Sequence, residues 1–151
     1  MDRIDKKILE ILQKDARITN AKLSSDIGLS PAPTLERVKK LEKAGYIEGY
    51  FAEFDKEKLG LDVLTFIQIS LKDNKKNTVK KFIDHISKID EIVECYHLTG
   101  HSDVLLKVIT QSISTYQKLI IGKLTEIDEI DRMESLVVLN TLKKTNAYPI
   151  P

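Results

Sequence analysis

Cysteine is almost missing from this chain of 151 residues: Cys95 stands alone, which excludes an intramolecular disulfide and any metal site built on several cysteines. Long apolar runs are missing too. The longest stretches without a charge are about ten residues, such as Val63–Leu71, where a membrane span needs roughly 20. The opening Met1-Asp2-Arg3-Ile4-Asp5 lacks the apolar run of a signal peptide, so the cytoplasm is the expected compartment. Neither sign of charge is in excess. The 24 basic and 23 acidic residues leave a net of +1, which does not advertise nucleic-acid binding and does not exclude it, because a small basic face can be offset elsewhere. What is present is 42% hydrophobic and 31% charged residues, a balance that argues against a disordered chain. The length suits one ordinary domain or two small ones.

The first part reads as helices. Ile4, Ile8, Ile11 and Leu12 recur at helical spacing, so residues 3–14 predict an amphipathic helix with Asp2 as N-cap and Asp5 in its first turn. A second helix is expected from Asn20 as N-cap, with Leu23 and Ile27 inside and Gly28 ending it. Ser30 then caps a third helix, Pro31 takes its first position, and Leu35, Val38 and Leu41 are its expected buried stripe before Gly45. About three residues separate the second and third helices. That is helix-turn-helix spacing, in which the later helix can enter a major groove. Residues 30–44 carry Arg37, Lys39, Lys40 and Lys43 against Glu36 and Glu42, a local +2. The alternation in Tyr46–Phe54 predicts one or two short strands leading out of the helical unit.

The second part alternates. Val63–Lys72 predicts a strand, Thr78–Ile89 a helix with Val79, Phe82, Ile83 and Ile86 inside, and Ile92–Thr99 and Asp103–Thr110 two strands joined through Gly100-His101-Ser102. Ser114–Thr125 predicts a helix capped by Ser114, and Asp131–Leu142 a last strand. The order β-α-β-β-α-β gives an antiparallel sheet with two helices on one face, the ferredoxin-like arrangement. The other face would leave Leu64, Phe66, Leu105 and Ile109 partly wet, and an apolar patch of that kind marks an interface. A second subunit packed sheet against sheet, with two-fold symmetry, is the expected cover. The fold class is thus α+β: an N-terminal winged helix-turn-helix in residues 1–54, a charged connector in 55–62 and a βαββαβ oligomerisation and effector domain in 63–151.

Three stretches carry a resemblance: Leu29-Ser30-Pro31-Ala32-Pro33-Thr34-Leu35-Glu36-Arg37-Val38-Lys39-Lys40-Leu41-Glu42, Gly45-Tyr46-Ile47-Glu48-Gly49-Tyr50, and Cys95-Tyr96-His97-Leu98-Thr99-Gly100-His101-Ser102-Asp103-Val104-Leu105-Leu106-Lys107. Through them the sequence resembles the Lrp/AsnC family, the feast/famine transcription regulators of bacteria and archaea, from about Asp2 to Asn146. The resemblance implies a DNA-binding dimer or larger homo-oligomer that responds to an amino acid bound between subunits; no cofactor is expected, and no spacing joins the histidines to carboxylates as a metal site.

On that reading Ser30, Ala32, Pro33 and Thr34 present short side chains at the start of the recognition helix, close to base edges and thymine methyls. Arg37, one turn on, is placed to reach a guanine or a phosphate. Lys39, Lys40 and Lys43 suit phosphates, which set affinity and salt dependence. Helix starts near Asn20 and Ser30 offer further N–H groups to phosphate. By resemblance Gly100 and Asp103 belong to the effector loop. Glycine frees backbone amides for a ligand carboxylate, and Asp103 meets its ammonium. His101 and Ser102 fill the variable positions, and many relatives carry an acidic and an aromatic residue there. Ser135, with Met133 and Val137, is the weaker candidate for the opposite wall.

An enzyme is the competing class. Siroheme decarboxylase subunits share the two-domain plan, and a porphyrin site would want basic or histidine residues converging on the C-terminal cleft. His97 and His101 are available, but no arginine lies between Arg37 and Arg132, so the expectation is a non-enzymatic regulator. An effector-independent architectural DNA-binding protein would differ from it in specificity ratio. His85 and His97 read as ordinary helix and strand residues, and Cys95 as a small strand residue.

Overall fold

A computed structural model describes all residues, Met1–Pro151. The chain forms two compact units, one of residues 1–53 with 142–151 and the other of residues 54–141. The final residues, expected to belong with the C-terminal domain, therefore return to the first unit. No helix is long and apolar enough to cross a membrane.

The first unit holds α1 (Arg3–Leu12), α2 (Asn20–Ile27) and α3 (Pro31–Lys43). Asp2 caps α1 in a capping box with Asp5, as two reciprocal side-chain bonds. The cap of α2 is Thr19, one residue before the expected Asn20. Its hydroxyl accepts from Lys22 N–H at 3.2 Å. That leaves the Asn20 amide free to donate to the Pro31 carbonyl at 2.8 Å, tying the start of α2 to the start of α3. Gly28 ends α2 at φ +75, a conformation that needs its missing Cβ. Ser30 stands at the N-cap of α3 with Pro31 inside the first turn, as the sequence predicts. Ile8, Leu23, Ile27 and Leu41 are the buried core, with Ile4, Val38 and Ile47 packed around them. At about 1.5–3 kcal/mol for each fully buried aliphatic side chain, so few leave a small unit dependent on its caps and charge pairs.

Residues 46–54 form no strand, so the expected wing lacks a ladder. A strand requires a hydrogen-bonded neighbour, and within the chain this segment meets side chains instead. Tyr50 donates its hydroxyl to Glu42 at 2.9 Å, and Glu53 accepts from Lys144 and from Asn146. Burial and that carboxylate acceptor push the Tyr50 phenol up to about 12. The C-terminal residues follow the same groove. The Gln13 side-chain amide donates to the Tyr148 carbonyl at 3.2 Å and accepts from Tyr148 N–H at 2.9 Å.

The second unit has β1 (Val63–Leu71), α4 (Lys76–Ile86), β2 (Ile92–His97), β3 (Val104–Thr110), α5 (Ile113–Leu119) continuing as a π-helical turn (Ile120–Leu124), and β4 (Ile130–Val137). The sheet order β2-β3-β1-β4 is antiparallel throughout, which is the expected βαββαβ arrangement. Ser112, not Ser114, caps α5, its hydroxyl accepting from Thr115 N–H at 3.1 Å. Strict alternation sorts the sheet faces. Thr65, Ile67, Ile69 and Leu71 of β1 and Val104, Leu106, Val108 and Thr110 of β3 are buried with Phe82, Ile86, Leu119 and Leu124. Ile83, expected inside, is exposed on α4.

The opposite sheet face has no helix on it. Register places Leu64 beside Ile109, Gln68 beside Leu105 and Phe66 between Lys107 and Leu136. Leu64, Phe66, Leu105 and Ile109 are only half-buried there, and Leu136 and Tyr96 are exposed.

Candidate nucleic-acid interface and effector loop

A helix turns about 100° per residue, so the burial of α3 fixes which residues look outward. Its inward side is Thr34, Val38 and Leu41, at i, i+4 and i+7. Thr34 is fully buried, and its hydroxyl donates to the Ser30 carbonyl at 2.9 Å. It is therefore a packing residue, not the groove-facing residue the sequence suggested. Leu35, expected inside, is 43% exposed. The expected stripe of Leu35, Val38 and Leu41 runs at i, i+3 and i+6, which drifts off the helical period; exchanging Leu35 for Thr34 restores it. A spacing count that admitted threonine would have found this.

Ala32, Leu35, Glu36, Lys39 and Lys43 consequently share the outward side, with Ser30, Pro33 and Lys40 also exposed. Lys39 leans toward Glu36 at 3.5 Å, whereas Lys40 and Lys43 make no ion pair. Arg37 departs from expectation. It points from α3 to the start of α1, with Nη1 2.7 Å from an oxygen of Asp2 and 2.7 Å from one of Asp5. Its bonds to Asp2 and Asp5 raise the guanidinium pKa further, and the Asp2 carboxyl is held low by the Asp5 N–H and then by Arg37. Nη1 of Arg37 is thus committed to carboxylates.

The loop between β2 and β3 carries the second candidate. Gly100 sits at φ +129, which a side chain would strain. The N–H groups of Gly100, His101 and Ser102 make no hydrogen bond within the chain, so one short loop carries three free donors. Asp103 is otherwise engaged than expected. One oxygen accepts from Leu71 N–H at 2.8 Å and the other from the Asn74 amide at 3.0 Å. Leu71 N–H points to the β3 side of β1, beyond the last β1–β3 pair of Ile69 with Val104, so it needs that partner. These donors, the Leu71 N–H first, hold the Asp103 carboxyl below the usual range. Asp103 N–H itself donates to the Ile69 carbonyl at 2.9 Å, and the Ser70 hydroxyl reaches the His101 carbonyl at 3.4 Å.

The structure does not bring Ser135 to this loop. Ser135 pairs opposite Ile67 on β4, across β1 from β3, and accepts from the buried Tyr116 hydroxyl. Two strand spacings, about 10 Å, separate β4 from β3 within the protomer. Met133 faces the same helix-covered side and packs on the core. His97 stands at the end of β2 and His101 in the loop, both exposed, and no group of three or more His, Cys, Asp or Glu residues is placed to hold a metal. Desolvation pushes the Cys95 thiol pKa up, away from a reactive thiolate.

Comparison with known proteins agrees with both units. Residues 1–48 match the family model for a winged helix-turn-helix DNA-binding domain, and residues 64–148 match that of the Lrp/AsnC ligand-binding domain. The leucine-responsive regulatory protein of Escherichia coli K12 is 38% identical over 150 residues, covering 99% of this chain and 92% of that protein. A transcriptional regulator of Neisseria meningitidis, solved as its L-Met complex, superposes with a TM-score of 0.95 at 32% identity, covering 99% of this chain and 96% of that one. AsnC of Escherichia coli gives a TM-score of 0.87 at 35% identity over 97% of this chain and 99% of its own. Together with the helix-turn-helix and the βαββαβ fold, these matches make the chain a member of the Lrp/AsnC family of DNA-binding transcription regulators.

Proposed function

We propose that the chain is a cytoplasmic, oligomeric regulator that reads DNA with the outward side of α3 and is biased by a small amino acid held at the Gly100 loop. The observation that carries the first part is the azimuth of α3: small residues at its first turn, one exposed leucine, and exposed lysines of which only Lys39 meets a carboxylate, that of Glu36. Ser30, Ala32 and Pro33 allow close approach to base edges, Leu35 suits a thymine methyl, and Lys39, Lys40 and Lys43 suit phosphates. The open sheet face, with Leu64, Phe66, Leu105 and Ile109, supports a two-fold partner of the same chain.

For the effector, the free amides of Gly100, His101 and Ser102 suit a ligand carboxylate. Asp103 frames the loop through Leu71 and Asn74 and keeps spare lone pairs for an ammonium. The L-Met complex of the Neisseria regulator supports an amino acid as the class of ligand. The relatives are named as regulators, which supports a non-enzymatic role without a cofactor. Two titrations test this reading. The tightest duplex selected from a randomised library should bind at least 10³-fold better than unselected DNA, and at least one of the twenty amino acids should raise the thermal transition. Equal binding of all duplexes would leave only architectural DNA binding, and twenty null shifts would remove the effector.

A further inference from the structure

The three charges at the junction of α1 and α3 form a closed set. Asp5 N–H donates to one oxygen of Asp2 at 2.8 Å, and Asp2 N–H donates to one oxygen of Asp5 at 3.0 Å. The remaining oxygen of each carboxylate faces Arg37 Nη1 at 2.7 Å. Every carboxylate oxygen of the pair therefore has a donor, and two negative charges surround one positive charge. At the side chain Arg37 is 31%, Asp5 18% and Asp2 52% exposed, so the Arg37–Asp5 bond is the better shielded of the two. The amino-terminal cap of α1 is thereby bolted to the middle of α3.

By the turn per residue Arg37 lies roughly 160° around the helix from Lys39 and about 40–60° from Pro33 and Lys40, at the edge of the outward side. Nη1 is taken by the two carboxylates, so a phosphate meeting the remaining guanidinium N–H groups would come up against the charges of Asp2 and Asp5.

We infer that Arg37 is a positioning residue, which sets the azimuth of the recognition helix through Asp2 and Asp5 and makes no contact with DNA. The inference rests on the reading of α3 as the DNA-contacting helix. It turns the one arginine of α3, the natural candidate for a guanine, into a bolt, and it leaves base reading to the first turn and Leu35.

The test uses the full chain and its tightest selected duplex, with binding followed against salt concentration and against unselected DNA. A phosphate contact contributes about 0.9 to the slope of log affinity on log salt. Arg37→Gln and Asp5→Asn should each lower affinity for the selected duplex about tenfold or more. Both should leave the salt slope and unselected binding near wild type, and the double variant should lose little beyond either single one. Arg37→Lys, which keeps the charge and the fold but supplies one point donor, should also lose affinity for the selected duplex. The inference is overturned if Arg37→Gln lowers the slope by about one, if Asp5→Asn binds as well as or better than wild type because a cation has been released, or if Arg37→Lys retains full affinity. Wild type binding selected and unselected DNA alike would instead overturn the reading of α3 itself, and the inference with it.

Discussion

Replacing Asp103 with alanine removes the acceptor of two donors at once. The Leu71 N–H, at 2.8 Å, faces the β3 side beyond the last β1–β3 pair and has no backbone carbonyl of β3 to turn to. The Asn74 amide, at 3.0 Å, is exposed and regains water. The cost is therefore set by one stranded, partly buried amide, about 1–3 kcal/mol. In a domain of this size each kcal/mol lowers the thermal transition by roughly 4–8 °C. Asparagine at position 103 keeps one acceptor but loses the charge and should fall between. The pH dependence has a definite sign. The folded carboxyl titrates below its unfolded value, so its contribution is complete above about pH 4 to 5 and is lost as pH falls through the lower folded value. The gap between wild type and Asp103→Asn should be constant from neutral pH to about 5 and close below about 4. Calorimetry of the full chain, with amide exchange at Leu71, measures both. Unchanged exchange at Leu71 in Asp103→Ala, or a gap that persists at acid pH, would refute the reasoning. The same variant should also lose any amino-acid thermal shift, because the loop bearing the free amides would no longer be framed.

Other outcomes follow from the same geometry. Thr34→Val keeps the shape and deletes the bond to the Ser30 carbonyl, so it should cost about 0.5–1.5 kcal/mol in stability and leave the salt slope of DNA binding untouched. Lys40→Gln and Lys43→Gln should each reduce that slope by about 0.9 in a salt titration. Leu35→Ala should abolish the penalty for replacing a contacted thymine by uracil in the selected duplex, a discrimination of about 0.8 kcal/mol for one buried methyl. Phe66→Lys on the open sheet face removes an apolar side chain twice in a two-fold pair. At about 1.5–3 kcal/mol per copy it should weaken self-association by roughly 10²–10⁴-fold in sedimentation.

Local periodicity carried most of the architecture. Ile4, Ile8, Ile11 and Leu12 mark α1, Ser30-Pro31 marks the start of α3, and the alternation through Val63–Leu71 separates the core face from the open one. These signals are legible because the period of a helix or strand is imposed by its own backbone. What was not legible depends on partners far along the chain. Whether Thr34 or Leu35 turns inward is decided by α1 and α2, and the commitment of Arg37 by Asp2 and Asp5, more than thirty residues away. The alternation of Tyr46–Phe54 predicts strand, yet alternation supplies no partner, and the segment meets α3, the helical core and the C-terminal residues instead of a neighbouring strand. The sequence points to Asp103 by resemblance alone. The two hydrogen bonds it accepts, from Leu71 and Asn74, become visible only once the hairpin lies beside β1, and Ser135 is placed across the sheet by the same topology.

The most direct test of the account places a negative charge at the first turn of α3. Ala32 is exposed and lies on the outward side, so Ala32→Glu alters no buried contact. Fluorescence anisotropy on the selected duplex, with sedimentation as a control for assembly, should show at least a hundredfold loss of affinity at unchanged oligomeric state. Full affinity with glutamate at that position would mean that this helix does not enter the groove.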